Sequence, residues 1–131
     1  MRRLLDINLV IALGHTAHAH HEKAVRWYLT LKGSDTTLCT SSITELGFVR
    51  VAVQAGLQSD VASARKALAA LKSSGSVPFE ILEDSLGVEK LPAFAKTPAR
   101  LTDGHLVELA RHHQAQLMTL DTGLPGANLI S

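Results

Sequence analysis

The sequence predicts an α/β fold: one domain over residues 1–131, with a mostly parallel sheet flanked by helices on both faces. Three observations carry that prediction. Short apolar runs of strand length alternate with segments whose apolar residues recur at helical spacing, the pattern of parallel strands joined by helical crossovers. At 131 residues the chain is long enough for one hydrophobic core and leaves no room for a second domain. Hydrophobic residues make up 46% and charged residues 19%, the balance of a packed protein and not of a disordered one.

The first run, RRLLD, reads as a buried strand ending near Asp6, followed by a short helical turn through Leu13. GHTAHAHH is then a loop. Ala24, Trp27, Tyr28 and Leu31 share one helical face and predict a helix over 20–31, stopped by Gly33-Ser34-Asp35. TTLCT is a second short buried strand. Ser41 or Ser42 caps the next helix, which continues through Val53 toward Gly56. Glu45 stands three residues after Ser42, in the position of a capping-box acid. Val61, Ala64, Leu68 and Leu71 form the inward seam of a helix over 59–73, and SSGS ends it. VPFEILE reads as a strand. Segment 84–101 holds Gly87, Pro92 and Pro98 and is the least regular part, with room for one short helix. Thr102 caps a further helix that turns Leu106, Leu109 and Ala110 inward and carries Asp103 on the same side. QLMTLD is a buried strand, and ANLI supplies a short last one after the TGLPG turn.

Four carboxylates fall where these strands end or helices begin: Asp6, Glu45, Asp103 and Asp121. In an open α/β sheet the carboxyl ends of the strands line one edge, so distant residues converge on a crevice there. Acids gathered in that way repel one another until some take up protons or a cation neutralises them. Ligation by oxygen alone favours Mg²⁺ or Mn²⁺. Each acid also has an ordinary structural reading: Asp6 and Asp121 as turn residues, Glu45 as a cap, and Asp103 as a favourable charge at a helix start. Only the combination points to chemistry.

Other features exclude more than they suggest. Thirteen Lys and Arg against twelve Asp and Glu give a formal net charge of +1, so overall charge does not advertise a nucleic-acid binder. The lone Cys39 forms no internal disulfide and fits a core thiol in a reducing compartment. No apolar run approaches the roughly 18 residues of a membrane span, and a soluble cytoplasmic protein is expected. His15, His18, His20 and His21 read as a solvated loop cluster, since no Cys accompanies them. Trp27 and Tyr28 read as core.

With these residues in place, the chain resembles the PIN-domain nucleases, and within them the VapC-type toxins of bacterial toxin–antitoxin pairs. The resemblance rests on LLDINLVIAL, HAHHEKAVRWY, SSITELGFVRV, TDGHLVELARHH and LMTLDTGL, in that order over nearly the whole chain. It implies a PIN-like three-layer sandwich and a metal-dependent endoribonuclease that hydrolyses RNA phosphodiester bonds. It also implies an acidic site of Asp6, Glu45, Asp103 and Asp121 for Mg²⁺ or Mn²⁺, with Asn8 and Thr119 as polar helpers, a cognate antitoxin protein, and a homodimer. One departure is Gly104-His105, where such toxins often carry a small residue and then Tyr; Gly in a helix is about 1 kcal/mol less favourable than Ala. Two rivals stand beside this reading. An aspartyl-phosphate phosphotransferase is disfavoured because Asp6-Ile7-Asn8 lacks a second acid two positions on and no Lys closely follows a late strand. A catalytically weak binding module, whose acidic crevice takes a basic peptide, is separated from a nuclease by RNase activity.

Overall fold

The computed structural model describes residues 1–130. Its strands are β1 (Arg2–Leu5), β2 (Thr37–Thr40), β3 (Phe79–Ile81), β4 (Gln116–Thr119) and β5 (Asn128–Leu129). They form a parallel sheet in the order β3-β2-β1-β4-β5. The α-helices are α1 (Ile7–Gly14), α2 (His21–Thr30), α3 (Ser42–Gln54), α4 (Val61–Lys72) and α5 (Leu101–His112).

Alternation along the three inner strands, β2, β1 and β4, splits the core into two layers. Leu5, Leu38 and Met118 enter a cluster with Leu9, Trp27, Phe48 and Leu68 of α1 to α4. Their neighbours Leu4, Cys39 and Leu117 enter the other, against Leu106 and Leu109 of α5. The register pairs Leu4 with both Leu117 and Cys39, so each face is apolar across neighbouring strands. A strand buried on both faces lacks the apolar–polar alternation of a half-exposed one, which is why RRLL, TLCT and QLMT read as short apolar runs. The result is the three-layer α/β sandwich expected from the sequence, with four helices on one face and α5 on the other. Trp27 and Cys39 are core residues, as expected. No helix among the described residues is long and apolar enough to cross a membrane.

Four local expectations need correction. The cap of α3 is Ser41, and Thr44 completes the capping box. That leaves Glu45 one position too late for the role, so its carboxylate is free for other partners. Helix α5 begins at Leu101 after Arg100, without a side-chain cap, and Thr102 lies within its first turn. Segment 84–100 holds two 3₁₀ turns, Val88–Lys90 and Pro98–Arg100, where one short helix was expected; its prolines remove the donors a longer helix would use. Of the α4 seam, Ala64 and Leu68 are buried while Val61 is exposed.

The start of α1 touches α3 through Gly47. A Cβ added there would lie 2.4 Å from Ile7 Cδ1 and 2.8 Å from its Cγ1, closer than real side chains come. This approach seats the residue after Asp6 against the neighbouring helix. Gly47→Ala gains about 1 kcal/mol of helix propensity but overpacks a core contact that typically costs about 1–3 kcal/mol. The expected outcome in urea unfolding is a net loss of up to about 2 kcal/mol, and Ile7→Val in the same chain should recover part of it by removing Cδ1. A more stable single variant would show that this contact does not set the helix spacing.

Candidate active site

Asp6 leaves the C-terminal end of β1 and caps α1. Its Oδ1 accepts the Ile7 N–H at 2.8 Å, and its Oδ2 accepts the Thr119 hydroxyl at 2.8 Å. Its own N–H donates to the Met118 carbonyl of β4 at 2.9 Å. The residue is only 5% exposed, so these bonds are the compensation a buried carboxylate requires. The Thr119 hydroxyl in turn accepts the Asp121 N–H at 3.0 Å, joining the backbone of one acid to the carboxylate of the other. Asn8 Oδ1 accepts the Leu120 N–H at 3.4 Å and steadies the same chain segment. Asn8 and Thr119 thus hold the strand ends in place.

Asp121 begins a turn of its own, its Oδ1 accepting the Gly123 N–H at 2.9 Å. The turn role read from the sequence and a place in the site therefore coexist in one residue. Asp103 stands in the first turn of α5, with Arg100 Nη1 3.8 Å from its Oδ2. Arg100 also donates to the Gly123 carbonyl at 3.1 Å, tying the start of α5 to the loop that carries Asp121.

Asp6, Asn8, Asp103 and Asp121 line one cavity of about 350 Å³, together with His18 and Arg50. Its electrostatics follow from the crowding of acids. Burial raises the Asp6 carboxyl above its ordinary value; the Thr119 and Ile7 bonds oppose this and the Asp121 charge adds to it. Asp103 is raised as well, first by burial and then by Asp6 and Asp121, with Arg100 opposing. The three carboxylates therefore lie within one another's field, in surroundings that favour either a proton or a cation. That donor set suits a hard divalent ion, which takes carboxylate oxygens and keeps part of its water. As placed, the acids do not close on a single point: among the described residues no trio of His, Cys, Asp or Glu forms a finished metal cage.

Glu45 is not part of that lining. Its Oε2 accepts the Thr40 hydroxyl at 2.6 Å and pairs with Lys72 Nζ at 2.6 Å. The four-carboxylate cluster read from the sequence is thus three acids on one cavity, with Glu45 held aside by a cation from α4 and a hydroxyl at the end of β2. Glu45 borders a larger neighbouring groove of about 1260 Å³ between α3 and α4, with Leu46, Val49, Val53 and Val61 on its walls. Arg50 borders both spaces.

The histidines do not form a solvated cluster. His15 is buried, its Nδ1 2.9 Å from the Ile11 carbonyl and its ring stacked on Phe48. His21 Nδ1 lies 2.7 Å from the Ala12 carbonyl. Both rings thus serve carbonyls in the last turn of α1, where no helical N–H is available. His18 lines the acidic cavity, and His20 is exposed. The missed signal was the end of α1 at Gly14, which leaves carbonyls needing donors just where imidazoles follow. Nothing local in the sequence distinguishes Arg50 from the other scattered basic residues.

A family model described as the PIN domain matches residues 3–128. Ribonuclease VapC29 of Mycobacterium tuberculosis is 36% identical over 125 residues, covering 95% of this chain and 89% of the relative. Ribonuclease VapC38 of the same organism is 33% identical over 126 residues, covering 92% and 86%. Among solved structures, M. tuberculosis VapC20, a toxin that cleaves the sarcin-ricin loop, aligns with a TM-score of 0.64 at 17% identity, covering 93% of this chain and 92% of that one. VapBC2 from Rickettsia felis, bound to a DNA fragment from its promoter, aligns at 0.65 and 14% identity, covering 98% and 97%. At those identities the two structures speak for the fold alone.

The raised Asp6 carboxyl has a consequence for stability. A group whose folded pKa exceeds its unfolded one binds more protons when folded, so its contribution is fully present below 3.8 and is lost as pH rises through the folded value. Asp6→Asn removes that loss. Thermal midpoints of metal-free parent and variant, compared in EDTA from about pH 3 to pH 8, should show the variant gaining on the parent as pH rises. A difference that stays constant with pH would mean that Asp6 is not held in a raised state.

Proposed function

Because the chain belongs to the PIN domain family, in its VapC-type ribonuclease branch, we propose that it is a metal-dependent endoribonuclease, the toxin of a toxin–antitoxin pair that hydrolyses RNA phosphodiester bonds and so inhibits translation. The observation that carries the reading is the meeting of Asp6, Asp103 and Asp121 on one cavity at the C-terminal ends of β1 and β4. Asp6, Asp103 and Asp121 are the proposed ligands of Mg²⁺ or Mn²⁺. When bound, such an ion lowers the pKa of a water and stabilises charge on the leaving oxygen.

The side chains supply position and polarity. Each oxygen of Asp6 accepts one hydrogen bond, and a carboxylate has about four acceptor sites, so the fixed group can still face a cation. Asp121 commits Oδ1 to its turn, and the residue still lines the cavity. Thr119 and Asn8 hold both acids in register. Glu45 would join the site only by leaving Lys72, so its part is that of a fourth carboxylate recruited when substrate or metal arrives. A phosphoryl-aspartate mechanism gains no support, because Asp6-Ile7-Asn8 has no second acid two positions on and among the described residues no Lys lines the cavity. The protein would work in the cytoplasm on RNA, as a homodimer, under control of its antitoxin.

Purified chain should cleave RNA in Mg²⁺ or Mn²⁺ and lose that activity in EDTA. Asp6→Asn and Asp121→Asn should each lower turnover by more than about 100-fold, since partners one shell beyond a metal ligand already cost about 10–100-fold. Cleavage that survives exhaustive chelation, or failure of both variants to fold, would overturn the metal mechanism.

Antitoxin control is expected at the same cavity. A guanidinium can fork across two carboxylates and replace the cation. Mg²⁺ should therefore weaken binding of an Arg-bearing antitoxin peptide, and Asp6→Asn should do the same. Affinity indifferent to both would put the inhibitory contact on the α3–α4 groove instead.

A further inference from the structure

We propose that Arg50 and His18 are the substrate-gripping residues of the acidic cavity, Arg50 taking a phosphodiester oxygen beside the scissile one and His18 donating through Nε2 to a neutral acceptor on the nucleotide. The inference rests on the nuclease reading above and adds the residues that hold the RNA.

The need is electrostatic. Three carboxylates repel a polyanion, and a compensating positive charge must stand close by. Among the described residues, Arg50 is the one Lys or Arg lining the cavity. It is exposed, and among the described residues its guanidinium has no ion pair, whereas Arg2, Lys72, Arg100 and Arg111 are committed to Glu80, Glu45, Asp103 and Glu108. A free planar fork suits a phosphate, to which it can make two bonds at once.

His18 is presented by a loop whose two ends are fixed. His15 and His21 fasten it to the Ile11 and Ala12 carbonyls, and within it the His18 N–H donates to the His15 carbonyl at 3.1 Å. His18 Nδ1 accepts the His20 N–H at 3.0 Å, so the ring proton sits on Nε2. An imidazole whose Nδ1 accepts a hydrogen bond is neutral, and burial, then His20, His15 and His21, push its pKa in the same direction, below the ordinary value. A neutral donor suits a sugar hydroxyl or a base edge, the groups by which single-stranded RNA is read.

The test measures binding of a fluorescent single-stranded RNA by anisotropy over a salt series, in the Asp6→Asn background so that nothing is cleaved. Arg50→Ala should weaken binding about tenfold and flatten the plot of log K against log salt by about 0.7, the value of one phosphate contact on a single strand. Arg50→Lys should restore the slope. His18→Ala should weaken binding several-fold with the slope unchanged, and His18→Gln, whose amide replaces the Nε2 donor, should recover it. With a 2′-deoxy oligonucleotide, loss of the His18 effect assigns the contact to the sugar hydroxyl, and its persistence assigns it to a base edge. In the cleaving parent, both alanine variants should raise KM far more than they lower kcat.

An unchanged slope in Arg50→Ala, or unchanged affinity in His18→Ala, overturns that residue's role while the parent still cleaves RNA. A parent that cleaves no RNA overturns the nuclease reading itself.

Discussion

Asp6 is buried where the two central strands stop, and the fold around the cavity is arranged to compensate for it. A carboxylate removed from water needs hydrogen bonds to its oxygens or a proton. The Ile7 N–H exists because a helix begins there, and the Thr119 hydroxyl exists because β4 ends beside β1. Thr119 passes the constraint on to the Asp121 backbone, so two acids 115 positions apart in sequence are fixed by one hydroxyl. The same arrangement leaves Asp6 short of full compensation, which is why burial still dominates its titration. Surroundings of that kind favour either a proton or a cation.

Close helix packing delivers the remaining parts. Gly47 lets α3 approach Ile7, and α3 carries Arg50 to the rim of the cavity. Gly104 does similar work for α5. A Cβ there would come within 2.7 Å of Ala95 Cβ, so the residue that lowers helix propensity also lets the start of α5 pack against the 92–95 segment. The departure at Gly104-His105 is likewise matched by its surroundings: His105 Nε2 meets Asp84 Oδ2 at 2.5 Å, bridging α5 to the irregular segment.

Glu45 shows how a neighbouring charge redirects a residue. Its place in the first turns of α3 puts it near the sheet edge, but Lys72 at the far end of α4 and Thr40 at the end of β2 claim its carboxylate. The groove between α3 and α4 adjoins the acidic cavity through Arg50, which borders both, while Glu45 borders the groove alone. The histidine segment follows a comparable logic. Two of its rings are consumed as donors to the end of α1, and a third is displayed between them.

The sequence by itself determined the alternation of strands and helices, the two apolar faces of each central strand, and the delivery of Asp6 and Asp121 to strand ends. These depend on local periodicity and on residues a few positions apart, which a linear reading captures. The family resemblance was equally legible, because it rests on ordered segments spanning the chain. Tertiary structure decided the rest. That Ser41 and not Ser42 caps α3, that Glu45 answers to Lys72, that His15 and His21 bond the α1 carbonyls, and that Arg50 borders the cavity of three acids all depend on where helices end and which distant side chains meet. A side chain in water and one in an ion pair have the same letter in the sequence; only the fold brings the partner within reach.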